Sequence, residues 1–150
     1  KLILFLSILS LIISNVYGIG SSENRFINYV LKNIHNSTPM ELSSGTQLYD
    51  FIYIDDAVEA IRLIGEKSLP NKTYNLSSGN AKKLREFLIE IFEFFKVENY
   101  LSYFGKIGVN GKALNEEFLC IDSLKSDLNY HPKTKFIDGV KKLYKHIYNA

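Results

Sequence analysis

The sequence contains a single cysteine, Cys120, so it cannot form an internal disulfide framework. Its three histidines lie far apart, outside any i, i+4 metal-binding pair, and no cysteine cluster accompanies them. No serine stands in a Gly-x-Ser-x-Gly motif, so the sequence does not indicate a serine hydrolase. Because Cys120 lies in the apolar run 118–121, we expect it to be a small buried side chain rather than a nucleophile.

Charge and hydropathy argue against two further classes of partner. The 18 basic and 16 acidic residues are interspersed and leave a net charge of only +2, so no basic stripe predicts nucleic-acid binding. The apolar N-terminal run 2–13 is shorter than the roughly 20 residues that span a bilayer, so no membrane partner is expected. A length of 150 residues with 46% apolar content is enough for one folded domain, and we predict a single α/β unit over 1–150.

The stretch 45–60 combines a polar loop, a strand and the start of a helix. Residues 51–54 are aromatic and β-branched, which is typical of a short buried strand. Asp55 and Asp56 follow, and Glu59 stands three positions after Asp56, as in a capping box. We therefore predict a helix that begins at Asp56 and ends at Gly65, with the two aspartates as helix caps rather than an acid/base pair. Its predicted apolar stripe is Val58, Ile61 and Ile64, helped by Ala57 and Ala60.

The run 8–16 is apolar without interruption, which predicts a parallel strand buried on both faces. The loop 17–20 would then leave its C-terminal end, where open α/β sheets place their ligands. A second interpretation is a secretory signal, because one lysine precedes the apolar run and three glycosylation sequons follow. The strand is favoured, since one sequon, at Asn75, falls inside a predicted strand.

Helical and strand patterns alternate along the rest of the chain. Apolar spacing predicts amphipathic helices after Ser21 or Ser22 and over 84–95, a short helix over 123–128 and a last helix around 140–147. Strands are predicted at 40–42, 73–76, 100–104 and 117–121. The fold class predicted from this pattern is α/β.

Four motifs occur in a fixed order: Asn-Val-Tyr-Gly at 15–18, Gly-x-Gln-x-x-Asp-Phe-Ile-Tyr-Ile-Asp-Asp at 45–56, Thr-Tyr-Asn-Leu-Ser-Ser-Gly at 73–79 and Leu-Asn-Tyr-His-Pro at 128–132. Together they resemble the extended short-chain dehydrogenases/reductases, the NAD-dependent epimerase/dehydratase family that acts on sugar nucleotides. The resemblance implies the C-terminal half of a Rossmann-type enzyme, with its last central strands and its small α/β substrate domain. Residues 8–20 would be a late Rossmann strand and ligand loop, and residues 21–150 the substrate-binding part with the returning strand 73–76.

Two features of that family are missing from this sequence. The Gly-x-x-Gly-x-x-Gly spacing at 105–111 lies between the predicted strands 100–104 and 117–121 and opens no predicted helix, and no Tyr-x-x-x-Lys pair precedes Asn15. The resemblance therefore implies part of a cytoplasmic, NAD- or NADP-dependent isomerase, lyase or oxidoreductase, whose catalytic residues lie outside this chain. A homodimer is compatible with it. Two alternatives stay open: an inactive binding module of the same fold, and a secreted glycoprotein.

The resemblance also implies a set of binding residues. Asn15 matches an asparagine that contacts the sugar nucleotide, although it could equally satisfy its own loop backbone, and Ile13 and Ser14 match positions beside the nicotinamide. The nucleotide pocket would be lined by Thr46, Gln47 and Tyr49.

Tyr49 departs from the family, which frequently has an arginine there to bind the diphosphate. A phenol brings no charge, so neutralisation of the diphosphate must come from another residue or be weaker. Lys112 lies near a position where the family carries an arginine, and Arg25, near the start of the first helix, is the second candidate.

Overall fold

The computed structural model describes residues 8–109 and 116–149. Its strands are β1 (Ser10–Ile13), β2 (Asn15–Tyr17), β3 (Leu48–Tyr49), β4 (Phe51–Tyr53), β5 (Thr73–Leu76) and β6 (Lys82–Lys83). Its α-helices are α1 (Phe26–His35), α2 (Ile54–Lys67), α3 (Leu84–Phe94), α4 (Asp122–Leu128) and α5 (Phe136–Tyr148). Single 3₁₀ turns cover Tyr100–Tyr103 and Glu116–Leu119.

The strands pair in three short ladders. β1 runs parallel to β5, β2 runs parallel to β4, and β3 runs antiparallel to β6. Only Ser14 separates β1 from β2, and only Asp50 separates β3 from β4. The chain therefore changes its strand partner at these two residues, which brings the ends of all three ladders close together.

The core lies on both sides of β4, because successive side chains of a strand point to opposite faces. Phe51 and Tyr53 belong to the larger apolar cluster, which β4 shares with α1, α3 and α5. Ile52 belongs to the second cluster, which it shares with α2, β5 and α4. The prediction of a short buried strand here is confirmed.

The amphipathic helices agree well with their sequence patterns. In α1, Ile27, Val30 and Leu31 are buried as predicted, and α3 buries its predicted apolar face from Leu84 to Phe92. These helices could be predicted because one apolar face at 3.6-residue spacing is a local property of the sequence. α1 begins after Arg25 rather than directly after Ser21 or Ser22.

The prediction of one doubly buried strand over 8–16 is wrong. Ile8 and Ile13 are 62% and 53% exposed, and the chain forms two strands that break at Ser14. Among the described residues, β5 is the only strand that pairs with β1, and β2 pairs with β4 instead. β1 is nevertheless part of the folded body, because all four of its residues are in register with β5.

The predicted start and stripe of α2 also need correction. The helix begins at Ile54 and continues past Gly65, without a side-chain cap at Tyr53. The carboxylate of Asp56 instead accepts hydrogen bonds from the backbone N–H groups of Lys133 and Thr134, at 3.0 and 2.8 Å. The small residues Ala57 and Ala60 face the core with Ile64, whereas Val58 and Ile61 are exposed.

Three predicted strands are not strands. Residues 40–42 have no ladder partner among the described residues, although Met40 and Leu42 are buried. Residues 100–104 and 117–121 consist mainly of 3₁₀ turns, and Cys120 is exposed rather than buried. Apolar side chains at these positions are explained by core contacts, which do not require strand pairing. No helix among the described residues is long and apolar enough to cross a membrane.

Candidate functional site

A cavity of about 300 Å³ lies at the C-terminal end of β1. Open α/β sheets bind their ligands at this end of the strands. Its walls include five of the residues singled out from the sequence, which are Ile13, Ser14, Asn15, Arg25 and Tyr49. These residues come from β1, β2, β3 and the start of α1, so only the folded chain brings them together. We call this space the first cavity.

Asn15 is positioned by the strand next to its own. It is the first residue of β2, opposite Phe51 of β4, and its Nδ2 donates to the main-chain oxygen of Asp50 at 3.2 Å. In the described part of the chain no donor reaches its amide oxygen. The nitrogen of Asn15 therefore bonds the backbone of Asp50, 35 positions away, rather than that of its own loop, while the oxygen can still accept a hydrogen bond from a ligand.

Asp50, which sequence reasoning did not single out, holds this region together. Its buried carboxylate accepts hydrogen bonds from the backbone N–H of Ser78 at 2.6 Å, the hydroxyl of Ser78 at 2.9 Å and the backbone N–H of Asn80 at 3.1 Å. Burial raises the pKa of this carboxyl above its ordinary value, while these hydrogen bonds oppose the shift. The sequence did contain a signal for this role, because Asp50 is a carboxylate between two apolar strands. A charged side chain is rarely buried unless it has hydrogen-bonding or ionic partners.

A second cavity of about 370 Å³ adjoins the first, and the two share Phe26 and Tyr49 as walls. Gln47 lies in the second cavity, and its buried Oε1 has no hydrogen-bond partner in the described structure. Most of the other walls are apolar side chains from α1, α3 and the adjoining loops, which are Tyr29, Leu42, Leu84, Leu88 and Ile107.

The charges of the two cavities differ in sign. Arg25 is the one charged residue among the described walls of the first cavity, and Glu41 is the one among those of the second. In the part of the chain that the structure covers, neither side chain forms an ion pair. The site thus offers a cation and an anion that remain available to a ligand.

Tyr49 stands at the boundary of the two cavities. It belongs to β3, faces Lys82 across the antiparallel ladder, and its ring stacks on Phe51 with 5.5 Å between ring centroids. Its hydroxyl can donate and accept hydrogen bonds there but adds no charge. Ser14, at the break between β1 and β2, adds a buried hydroxyl without a partner in the described residues to the first cavity.

Two of the predicted site residues are not in these cavities. Thr46 is exposed and lines neither of them, and its hydroxyl lies 3.3 Å from that of Ser44. Lys112 lies outside the described residues, so its predicted role stays a prediction. The described residues also contain no group of three His, Cys, Asp or Glu side chains that could hold a metal ion.

A larger cavity of about 600 Å³ lies between α1 and α5. It contains Lys32 and His146 but none of the residues singled out from the sequence as site residues. We place the candidate site at the smaller pair of cavities because they combine the strand ends, the available hydrogen-bonding groups and the unpaired charges.

Comparison with known proteins finds one family model and several relatives that resemble this chain. The model of the "NAD dependent epimerase/dehydratase family" matches residues 5–77. A CDP-abequose synthase from Salmonella typhimurium is 32% identical over 108 residues, which are 62% of this chain and 36% of that protein. A CDP-abequose synthase from Salmonella muenchen is 28% identical over 139 residues, which are 90% of this chain and 46% of that protein.

Solved structures share the fold. DesIV from Streptomyces venezuelae, a dTDP-glucose 4,6-dehydratase with NAD and TYD bound, matches with a TM-score of 0.79 and 18% identity. The match covers 96% of this chain and 45% of DesIV. The chain therefore spans less than half the length of the relatives named here. The family match over residues 5–77 and the shared Rossmann-type α/β fold agree with the four sequence motifs, so the chain resembles the NAD-dependent epimerase/dehydratase family in sequence and in fold.

Proposed function

We propose that this chain is the C-terminal, substrate-binding part of an NAD- or NADP-dependent enzyme that modifies a nucleotide-diphosphate sugar. The observation that carries the proposal is the pair of adjoining cavities, in which Asn15, Arg25 and Tyr49 line one space and Gln47 lines the next. The match to the family model over residues 5–77 supports it. The relatives named above act on CDP- or dTDP-linked sugars by their names, so they support a nucleotide sugar and leave its base open.

The first cavity suits the diphosphate and the sugar of such a substrate, and the second cavity suits its base. The guanidinium of Arg25 can bind the diphosphate through two parallel hydrogen bonds, which supplies the charge that Tyr49 lacks. The amide oxygen of Asn15 can accept a hydrogen bond from a sugar hydroxyl. The apolar walls of the second cavity suit the flat faces of a base, next to the polar groups of Gln47 and Glu41.

The part of the cofactor that would contact this chain is its nicotinamide ring. Ile13 offers an exposed apolar side chain and Ser14 an unpartnered hydroxyl in the first cavity, and both fit an amide-bearing ring. NAD or NADP supplies the hydride chemistry when it is bound. No Gly-x-x-Gly-x-x-Gly turn of this sequence joins a predicted strand to a predicted helix, as the turn that cradles its pyrophosphate does, and the Tyr-x-x-x-Lys pair is not in the sequence, so the chain by itself should not catalyse the reaction.

A second candidate is an inactive binding module of the same fold. The two candidates differ in what precedes residue 1 in the complete protein. A Gly-rich turn and a Tyr-x-x-x-Lys pair there would indicate an enzyme, and a long segment without them an inactive module. A cytoplasmic location and a homodimer remain predictions that accompany the enzyme.

Calorimetric titration tests the proposed function directly. The 150-residue chain is titrated with CDP-, UDP- and dTDP-glucose, and with free glucose as the control. We expect saturable binding of at least one nucleotide sugar and none of free glucose, because the diphosphate and the base make the proposed contacts. A folded chain that binds none of the three nucleotide sugars would contradict the proposal.

A further inference from the structure

Glu41 lines the second cavity, where the proposed function places it beside a base without giving it a specific contact. Its neighbours Met40 and Leu42 are 3% and 4% exposed, whereas Glu41 itself is exposed. The main chain is fixed at this point because Leu42 donates its N–H to the carbonyl oxygen of Tyr103 and accepts the N–H of Lys106, both at 2.9 Å. The carboxylate is therefore carried by an anchored segment at the wall of the cavity.

The other walls of the second cavity do not neutralise this carboxylate. Among its described lining residues there is no Lys, Arg or His, and Glu41 forms no ion pair with any residue that the structure describes. An ionised carboxylate can only accept hydrogen bonds. A ligand in this cavity is thus favoured if it presents an N–H donor to Glu41, and disfavoured if it presents a carbonyl oxygen.

Pyrimidine bases differ in this property. Cytosine carries an exocyclic amino group that donates to Glu or Asp carboxylates, whereas uracil and thymine carry the acceptor O4 at the same position. The side-chain amide of Gln47 does not discriminate between them, because it can offer its oxygen or its nitrogen by rotation. Discrimination at this edge of the base therefore depends on Glu41.

We propose that Glu41 selects cytosine in the second cavity, so that the substrate is a cytidine-diphosphate sugar rather than a uridine- or thymidine-diphosphate sugar. The proposal rests on the proposed function, because it assumes that a nucleotide sugar occupies the two cavities. It adds the identity of the base and the residue that determines it. Attraction to the amino group and repulsion of O4 act in the same direction, as specific sites commonly combine both.

The experiment is a calorimetric titration of the 150-residue chain with CDP, UDP, dTDP and ADP. We expect CDP to bind about tenfold or more tightly than UDP or dTDP, as a hydrogen bond to a charged group allows. ADP is included because adenine also carries an exocyclic amino group. The variant Glu41→Gln can donate to O4, so the ratio of CDP to UDP affinity should fall to about one, since an amide serves either base.

Glu98→Gln is the matched control, because Glu98 is also exposed and lines neither cavity. It should keep the wild-type preference. Equal binding of CDP and UDP by the wild type, an unchanged preference in Glu41→Gln, or tighter binding of ADP than of CDP would overturn the cytosine proposal and leave the proposed function intact. If no nucleotide binds to a chain that circular dichroism shows to be folded, both the proposed function and the cytosine proposal are wrong.

Discussion

The side chain of Asn15 donates a hydrogen bond to the main-chain oxygen of Asp50 at 3.2 Å, across 35 positions of sequence. The carboxylate of Asp50 in turn accepts hydrogen bonds from Ser78 and Asn80 in the turn after β5. Through these contacts one buried residue connects β2, the junction of β3 and β4, and the end of β5. The position of Asn15 in the first cavity therefore depends on a residue that does not line it.

Asp50→Asn should destabilise the fold by about 2–3 kcal/mol, because an amide cannot accept all the hydrogen bonds that the carboxylate accepts and leaves a buried donor facing N–H groups. Urea unfolding followed by circular dichroism measures this loss. The control is Asp55→Asn at an exposed position, which should change the free energy of unfolding by less than about 0.5 kcal/mol. A loss below about 1 kcal/mol for Asp50→Asn would show that the network is not required for stability.

Two glycines in helices make a matched pair for a packing test. A Cβ at Gly139 of α5 would lie 2.2 Å from the hydroxyl oxygen of Tyr17 and 2.6 Å from a ring carbon of Tyr53, whereas a Cβ at Gly65 of α2 would meet nothing within 4 Å. Gly139→Ala should therefore lower stability by about 1–3 kcal/mol through overpacking. Gly65→Ala should raise it by up to about 1 kcal/mol, since alanine favours the helix.

Thermal and urea unfolding of both glycine variants give the comparison. The tyrosine cannot simply move away from Gly139, because its hydroxyl donates to the carbonyl oxygen of Phe136 at 2.7 Å. If both variants changed stability in the same direction by the same amount, the close approach of Tyr17 to α5 would be wrong.

Arg25→Ala should weaken nucleotide-sugar binding by about 1.5–3 kcal/mol, the range for a hydrogen bond to a charged group. The effect should decrease as salt rises, because part of it is Coulombic. Calorimetry at low and high salt measures both. Lys145→Ala, which removes an exposed cation on α5 away from both cavities, should leave the affinity unchanged. If Arg25→Ala has no effect at low salt, Arg25 is a solvated surface charge and Lys112 becomes the residue to test.

The 150-residue chain should not bind NADH measurably, because no Gly-x-x-Gly-x-x-Gly turn of its sequence joins a predicted strand to a predicted helix, the arrangement whose backbone N–H groups bind the pyrophosphate. Titration followed by nicotinamide fluorescence tests this. Binding of a nucleotide sugar in the same preparation serves as the positive control. Saturable micromolar binding of NADH would mean that the cofactor site is built from other residues of this chain.

The sequence by itself determined the amphipathic helices α1 and α3, the strand β5 and the resemblance to the family, because helical periodicity and short motifs are local properties of the chain. It also indicated Asn15, Arg25 and Tyr49 as candidate binding residues. It did not predict the exposure of Ile8 and Ile13 or the break at Ser14, because burial of a strand depends on which neighbours cover it.

Only the tertiary structure decided which distant residues meet. The first cavity joins Arg25 of one segment to Asn15 and Tyr49 of two others, and the second cavity is lined by Gln47, Leu84 and Ile107 from three separate segments. Likewise, Asp56 accepts hydrogen bonds from residues 77 and 78 positions away instead of capping its own helix. The physical reason is that strand pairing and side-chain hydrogen bonds can join any two segments of a chain, so the local pattern around each residue does not specify its partner.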